Sequence, residues 1–258
     1  MTWFGGNPVL VRARTSRGRV ELLLPLQAGA SEATTRHGVE LRAQVRSPGG
    51  RLAVVVEVRN AGLRPVRVDS VSPLVATSLL DHDVVAGAAR AYRQGWQSWS
   101  PALSLSLRQY DVASGPPVEA PAESERPLRR TGELRSDEVT VLTDASGRSL
   151  LVGFETARRF VAQVRIDRAR AALEAVCWTD GVPLDPGETL QAERLVVDER
   201  GGALEQLERY AMGTARAMHA RAPGRVPTGW CSWYYYFTNV TEADVVANLA
   251  ALQRLRDV

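Results

Sequence analysis

The sequence predicts a mainly β protein: an antiparallel β-sandwich, then a connector helix, then a single βα unit. Three observations carry this. Apolar and polar residues alternate with period two in short runs from Val9 to about Val197. At Gly201-Gly202 the period changes to that of an amphipathic helix. Near the C-terminus, Val226-Pro227-Thr228-Gly229-Trp230-Cys231-Ser232-Trp233-Tyr234-Tyr235-Tyr236-Phe237 is followed at once by a helix start.

The strands are justified one by one. Leu52, Val54, Val56 and Val58 share one face, with Val55, Glu57 and Arg59 on the other. Phe160, Ala162, Val164 and Ile166 alternate with Val161, Gln163, Arg165 and Asp167. This is the pattern of a half-buried antiparallel strand. Further runs are Val9 to Arg14, Arg19 to Leu24, Val39 to Val45, Val66 to Val71 and Val139 to Leu142. Ser149 to Phe154, Ala172 to Cys177 and Leu190 to Val197 complete the set. Turn signals such as Ser47-Pro48-Gly49-Gly50, Asn60-Ala61-Gly62 and Asp185-Pro186-Gly187 separate them. About ten short strands so punctuated argue for two packed antiparallel sheets. Ser114 to Arg130 holds Pro116, Pro117, Pro121 and Pro127 and cannot be a central strand. It is a long loop or an interdomain linker, and the alternation that resumes beyond it favours the loop.

In the helix, Leu204, Leu207, Ala211, Ala215 and Met218 fall on one face, and Ala222-Pro223-Gly224 closes it. The expected domains are residues 1–200 (sandwich), 201–225 (connector helix) and 226–258 (βα unit). In the last, Gly229 to Trp233 reads as a strand and Thr241 as the N-cap of a helix with Val245, Leu249 and Leu252 on one face. A parallel strand needs neighbours and cover on both faces, so a larger βα domain is expected to begin here.

Composition limits the function classes. An apolar fraction of 45% and a charged fraction of 24% describe a chain able to bury a sizeable core. All 32 basic residues are arginine, and Ile166 is the sole isoleucine. A bias toward GC-rich codons accounts for both, and scattered arginines with a net charge of +3 do not make a nucleic-acid surface. No membrane partner is expected either: Val20 to Leu26 is too short to span and contains Glu21. A cytoplasmic location is the default expectation. Cys177 and Cys231 are expected to be buried free thiols, and no metal or cofactor is expected. Asp81-His82-Asp83 reads as a solvated turn, because His37 and His219 are distant and no third ligand has zinc spacing.

Two aromatic clusters remain. Six of the ten residues Trp230 to Asn239 are aromatic, against 6% for the chain. The second cluster is Tyr92-Arg93-Gln94-Gly95-Trp96-Gln97-Ser98-Trp99-Ser100-Pro101; together the two hold four of the six tryptophans. Indole faces stack on the C–H faces of pyranose sugars, and Gln and Ser can bond hydroxyl groups. The alternative is that these aromatics fill a core or a domain interface. Gly95 and Pro101 bracket a loop, which favours exposure.

Gly95-Trp96-Gln97-Ser98-Trp99-Ser100, followed about 130 residues later by Pro227 to Phe237, resembles the bacterial α-galactosidases of glycoside hydrolase family 36. The resemblance implies an N-terminal β-supersandwich, a connecting helix, then a (β/α)8 barrel of which this sequence holds the first βα unit. It implies that Trp99, with Trp96 and Gln97, reaches an α-galactoside from the sandwich. It places Trp233 and Tyr234 at the end of the first barrel strand, where barrel active sites lie. No cofactor is implied, and a homo-oligomer is expected for the full-length enzyme.

The departures from the family are as informative as the matches. A barrel takes roughly 250 residues, and only Val226 to Val258 are available here. The Asp-Asp pair, the Lys-x-Asp nucleophile motif and the acid/base aspartate of the family have no counterpart, so the catalytic carboxylates are expected beyond Val258. Glu242 and Asp244 are first-turn helix residues favoured by the macrodipole. Retaining hydrolysis needs two carboxyl groups across the bond, so the 258 residues alone are expected to be inactive. Three other readings stay open: a non-catalytic carbohydrate-binding β-sandwich, a related α-glycosidase or glycosyltransferase of the same superfamily, and a structural fragment whose aromatics serve only the domain interface.

Overall fold

The alternating runs become two antiparallel sheets in a computed structural model of the chain. The residues described are 7–26, 31–47, 49, 51–76, 88–95, 102–106, 133–167, 172–221, 224 and 229–254. They fall into two units, Met1–Ala220 and Arg221–Val258.

In the first unit the strands are β1 (Pro8–Thr15), β2 (Gly18–Pro25), β3 (Ser31–Arg36), β4 (Val39–Arg46), β5 (Leu52–Asn60) and β6 (Val66–Ala76). Next come β7 (Ala88–Arg93), β8 (Leu103–Ser106), β9 (Glu133–Asp137), β10 (Val139–Asp144) and β11 (Ser149–Phe154). The last are β12 (Val161–Asp167), β13 (Ala172–Leu184), β14 (Thr189–Gln191) and β15 (Leu195–Asp198). One sheet has the order β2-β1-β6-β13-β12-β9. The other runs β3-β4-β5-β15-β11-β10-β7-β8, with β14 also on β5.

The core lies between the sheets. Val9, Val68, Leu74, Val164 and Leu173 of one sheet and Leu41, Val54, Val58, Val152 and Leu195 of the other are fully or almost fully buried in a single cluster. Each such side chain contributes about 1.5–3 kcal/mol by leaving water. An exposed ion pair such as Arg12–Glu21 (3.3 Å) contributes about 0–1 kcal/mol. Burial therefore decides the fold.

The hairpins supply close turns. Arg36 pairs with Val39 across His37 and Gly38, both at positive φ (50° and 81°), as two-residue hairpin turns require. The expected run Leu190 to Val197 is divided into β14 and β15. Glu193 sits at the break, and its Oε1 accepts from the backbone N–H groups of Arg158, Arg159 and Phe160 (3.0, 2.8 and 3.2 Å).

Helix α1 (Ala203–Ala217) lies on the outer face of the larger sheet. A second cluster forms there from Ala53, Val139, Val141, Leu151, Val196 and Tyr210, with Leu207 packed against it. Covered on both faces, β11 is buried at all six positions. The contacting face differs from the expected one. Gln206, Tyr210 and Gly213 are buried, whereas Leu204 is 76% exposed. The reason is polar anchoring: Tyr210 donates its hydroxyl to Phe154 O (2.5 Å), and Gln206 Nε2 donates to Ser149 O (2.9 Å).

The second unit corrects another expectation. Gly229 to Ser232 form no strand, and Trp233–Tyr236 is one helical turn, continued by a 3₁₀ turn at Phe237–Asn239. Among the described residues of this unit there is no neighbouring strand of the kind a parallel strand needs. Helix α2 (Glu242–Gln253) begins where expected, with Thr241 and Asp244 forming a capping box. Val245, Leu249 and Leu252 are exposed. Cys177 is buried as expected, but Cys231 is exposed because its segment lacks a strand to bury it. Among the described residues, no helix is long and apolar enough to cross a membrane.

Candidate functional site

Of the five sequence-predicted binding residues, Trp96, Gln97 and Trp99 lie outside the described residues, as does Asp81-His82-Asp83. Trp233 and Tyr234 are described and stand open to solvent, 52% and 94% exposed. Trp233 belongs to one of two groups of aromatic rings in contact in this segment. The rings of Trp233 and Phe237 lie 4.5 Å apart at 50°. Trp230 meets Tyr236 edge-on at 6.0 Å, and Tyr236 meets Tyr235 edge-on at 4.8 Å. Such pairs add about 0.5–1.5 kcal/mol beyond their area burial.

Local backbone chemistry assembles these rings. Phe237, at φ 51°, turns the chain after the Trp233–Tyr236 helix. The positive φ of a bulky residue carries strain. Helix α2 holds the far side: Asn248 Nδ2 donates to the Tyr236 hydroxyl (2.8 Å) and to Asp244 O (2.8 Å). Asp244 in turn accepts from the Thr241 hydroxyl (2.6 Å) and backbone N–H (2.9 Å), which hold its carboxyl below the usual range. Asp244 is thus a structural cap. The open faces of Tyr234, Tyr235 and Trp233 can stack on an apolar ring face, and tyrosine hydroxyls can bond polar substituents.

In the first unit the structure describes how the chain enters the second aromatic segment. β7 ends at Arg93, and Gln94 and Gly95 follow. Gln94 N donates to Ser136 Oγ (2.8 Å), Asp137 N donates to Gln94 O (2.9 Å), and Tyr92 donates to Gln94 Oε1. Behind them runs a buried relay: Trp178 Nε1 donates to Gln163 Oε1 (2.9 Å), and Gln163 Nε2 donates to Asp137 Oδ1 (3.0 Å). The Arg165 guanidinium lies 5.8 Å from the Trp178 ring. Glu138, at φ 61°, has its carboxyl pushed up by burial and then by neighbouring Asp137 and Glu193. Sequence reading missed Gln94, Asp137, Gln163 and Trp178. A Gln and an Asp on the outer face of alternating strands look like solvated positions, and only their burial and their bonds to each other and to Trp178 distinguish them. Burial pushes the Cys177 thiol well up, which makes it inert.

No protein-family model matches the sequence. Among solved structures, the chain is similar to the galactosidase domain of an α-galactosidase–sucrose kinase, AgaSK. The TM-score is 0.50 at 12% identity, over 80% of this chain and 32% of that one. The fold is one that an α-galactosidase domain also has. Lower scores link the chain to a variant of the family 36 α-galactosidase AgaA from Geobacillus stearothermophilus in complex with stachyose. There the TM-score is 0.47 at 13% identity, over 80% of this chain and 32% of that one. The α-galactosidase TtGalA from Thermus thermophilus, also in complex with stachyose, gives 0.39 at 21% identity, over 81% of this chain and 40% of that one. At 12% identity the likeness to the AgaSK domain is one of fold. The chain spans about a third of the length of the first of these structures.

Proposed function

We propose that this chain is the sugar-recognition portion of a retaining α-galactosidase. In this reading it comprises the β-supersandwich, the connector helix and the start of a (β/α)8 barrel. Trp96, Gln97 and Trp99 from the sandwich, with Trp233 and Tyr234 from the second unit, hold terminal α-linked galactose of an oligosaccharide. The enzyme acts in the cytoplasm without a cofactor and assembles as a homo-oligomer. These 258 residues contribute apolar platforms and hydroxyl contacts, while the nucleophile and acid/base belong to barrel strands that carry the family's Asp-Asp and Lys-x-Asp motifs. Positioning without the two carboxyl groups gives no glycosyl transfer.

The observation that carries the reading is a sandwich sharing its fold with a galactosidase domain, in a sequence that holds both aromatic motifs in order. Intrinsic fluorescence of the chain titrated with galactose tests it, alongside an aryl α-galactoside assay. Trp99→Ala and the Trp233→Ala, Tyr234→Ala pair are each expected to weaken sugar binding by about tenfold, the scale of losing one aromatic platform. No turnover above background is expected. Binding that depends on Trp99 and ignores Trp233 and Tyr234 would favour the non-catalytic binding module; turnover by the chain itself would refute the assignment of the carboxylates.

A further inference from the structure

Two hairpin turns and the β5–β6 connection enclose a cleft of about 670 Å³, a size suited to a small molecule. Its walls are fixed by backbone bonds. Asn60, wholly buried, donates through Nδ2 to Arg64 O and Leu184 O (both 2.9 Å) and accepts from Gly62 N (3.0 Å). Gly38 rests against Gly62 so closely that a Cβ on Gly38 would stand 2.9 Å from Gly62 Cα. Ala61 N donates to Gly38 O (2.8 Å). On the other side, Thr15 Oγ1 accepts from Arg17 N (3.1 Å). The backbone of a cleft built this way needs little ordering when a ligand enters.

The charge is one-sided. Arg17, His37 and Arg64 line the cleft with Ser16, and no Asp or Glu does. Several other arginines of this unit face acids: Arg12–Glu174 (2.7 Å), Arg14–Asp69 (2.6 Å), Arg42–Glu40 (2.6 Å) and Arg194–Glu155 (2.6 Å), while Arg36, Arg67 and Arg158 donate to backbone carbonyls. Among the described residues, Arg17 and Arg64 have no such partner. A guanidinium stays charged and presents a planar fork matched to carboxylate or phosphate. Leu63, 95% exposed, adds an apolar rim. The cleft sits at β5, which β15, β11 and β10 separate from β7 and the aromatic segment that follows it.

We propose that this cleft binds an anionic saccharide, a small sugar bearing a carboxylate or phosphate. Arg17 and Arg64 take the oxyanion, His37 and Ser16 bond the hydroxyl groups, and Leu63 covers the ring. Calorimetric titration of the whole chain at low salt with glucuronate, glucose 6-phosphate, inorganic phosphate and galactose tests this. Saturable binding of at least one charged sugar, tighter than inorganic phosphate or galactose, is expected. It should weaken at least about tenfold in Arg17→Gln and in Arg64→Gln. Arg42→Gln, which removes an equal charge already engaged by Glu40, should leave it unchanged. Tighter glucuronate assigns the carboxylate and tighter glucose 6-phosphate the phosphate; either upholds the site. No saturation by either charged sugar up to about 10 mM, equal binding of inorganic phosphate, or indifference to both cleft substitutions overturns it.

Discussion

At Gly153 the larger sheet lies close against its covering helix. A Cβ there would stand 2.8 Å from Val139 Cγ2 and 2.9 Å from Tyr210 Cε2. Neither neighbour can yield, since Val139 is fixed in β10 and the Tyr210 hydroxyl is bonded to Phe154 O. Gly153→Ala is therefore expected to lower stability by about 1–3 kcal/mol, the cost of overpacking. Urea denaturation checks it; an unchanged midpoint would show that α1 is not seated on Gly153. None of this is visible in the sequence, where Gly153 interrupts a good strand for no evident reason. A similar closeness occurs at Gly213, whose Cβ would meet Glu155 Oε1 at 2.1 Å. Glu155 is held between Arg51 and Arg194 (2.6 Å each) and has no room to retreat.

At the scale of the element, Asp198 joins β15 to α1. It accepts from Arg200 N (3.0 Å), Arg200 Nε (2.9 Å) and Arg209 Nε (2.9 Å). Burial pushes its carboxyl up, but the bonds from Arg200 and Arg209 outweigh that and hold it at about 2. A carboxylate held below its unfolded value near 4 stabilises the fold above that pH. The contribution disappears as pH falls through about 4 toward 2. Tm is thus expected to be flat in this term above about pH 4.5 and to drop below it. Asp198→Asn should flatten part of that drop, and an identical acid limb in the variant would exclude Asp198 as a source.

Elements were legible in proportion to burial. The inward residues of β5, Leu52, Val54, Val56 and Val58, were readable because one face met the core along its whole length. Strands β3, β7, β8 and β9 were missed; β3, β8 and β9 are each the edge of a sheet, and β7 lies one strand in, beside β8. Edge strands are short and polar to discourage pairing with other chains, and Ser31–Arg36 and Glu133–Asp137 fit that description. The contact face of α1 was misread because hydrogen-bonding Gln206 and Tyr210, not Leu204, seat it on the sheet. At the candidate site, the aromatic runs announced themselves by composition. The turn at Trp233–Tyr236 did not, since tryptophan and tyrosine are only modest helix formers.

For the whole molecule, the two units differ in how much they bury. The first has a continuous core across both sheets. In the second, no described residue is buried. Hydrogen exchange should separate them: amides of β5, β11 and β13 protected to near the global unfolding free energy, those of α2 exchanging far faster. Equal protection in a monomer would show that Val245, Leu249 and Leu252 have found cover. The described aromatic residues thus belong to the unit that buries less, the kind of segment expected to open first.

The ion pairs that tie strands and helix together, from Glu155 to Asp198, draw their cation from guanidinium groups in every case, because the chain contains no lysine. Guanidinium does not deprotonate below about pH 12, so alkali has no side-chain ammonium to discharge. Loss of structure at high pH must begin with phenols and thiols instead. The same feature leaves amine-reactive labels no side chain to attack, and a fluorophore coupled through such chemistry would sit at the α-amino group alone.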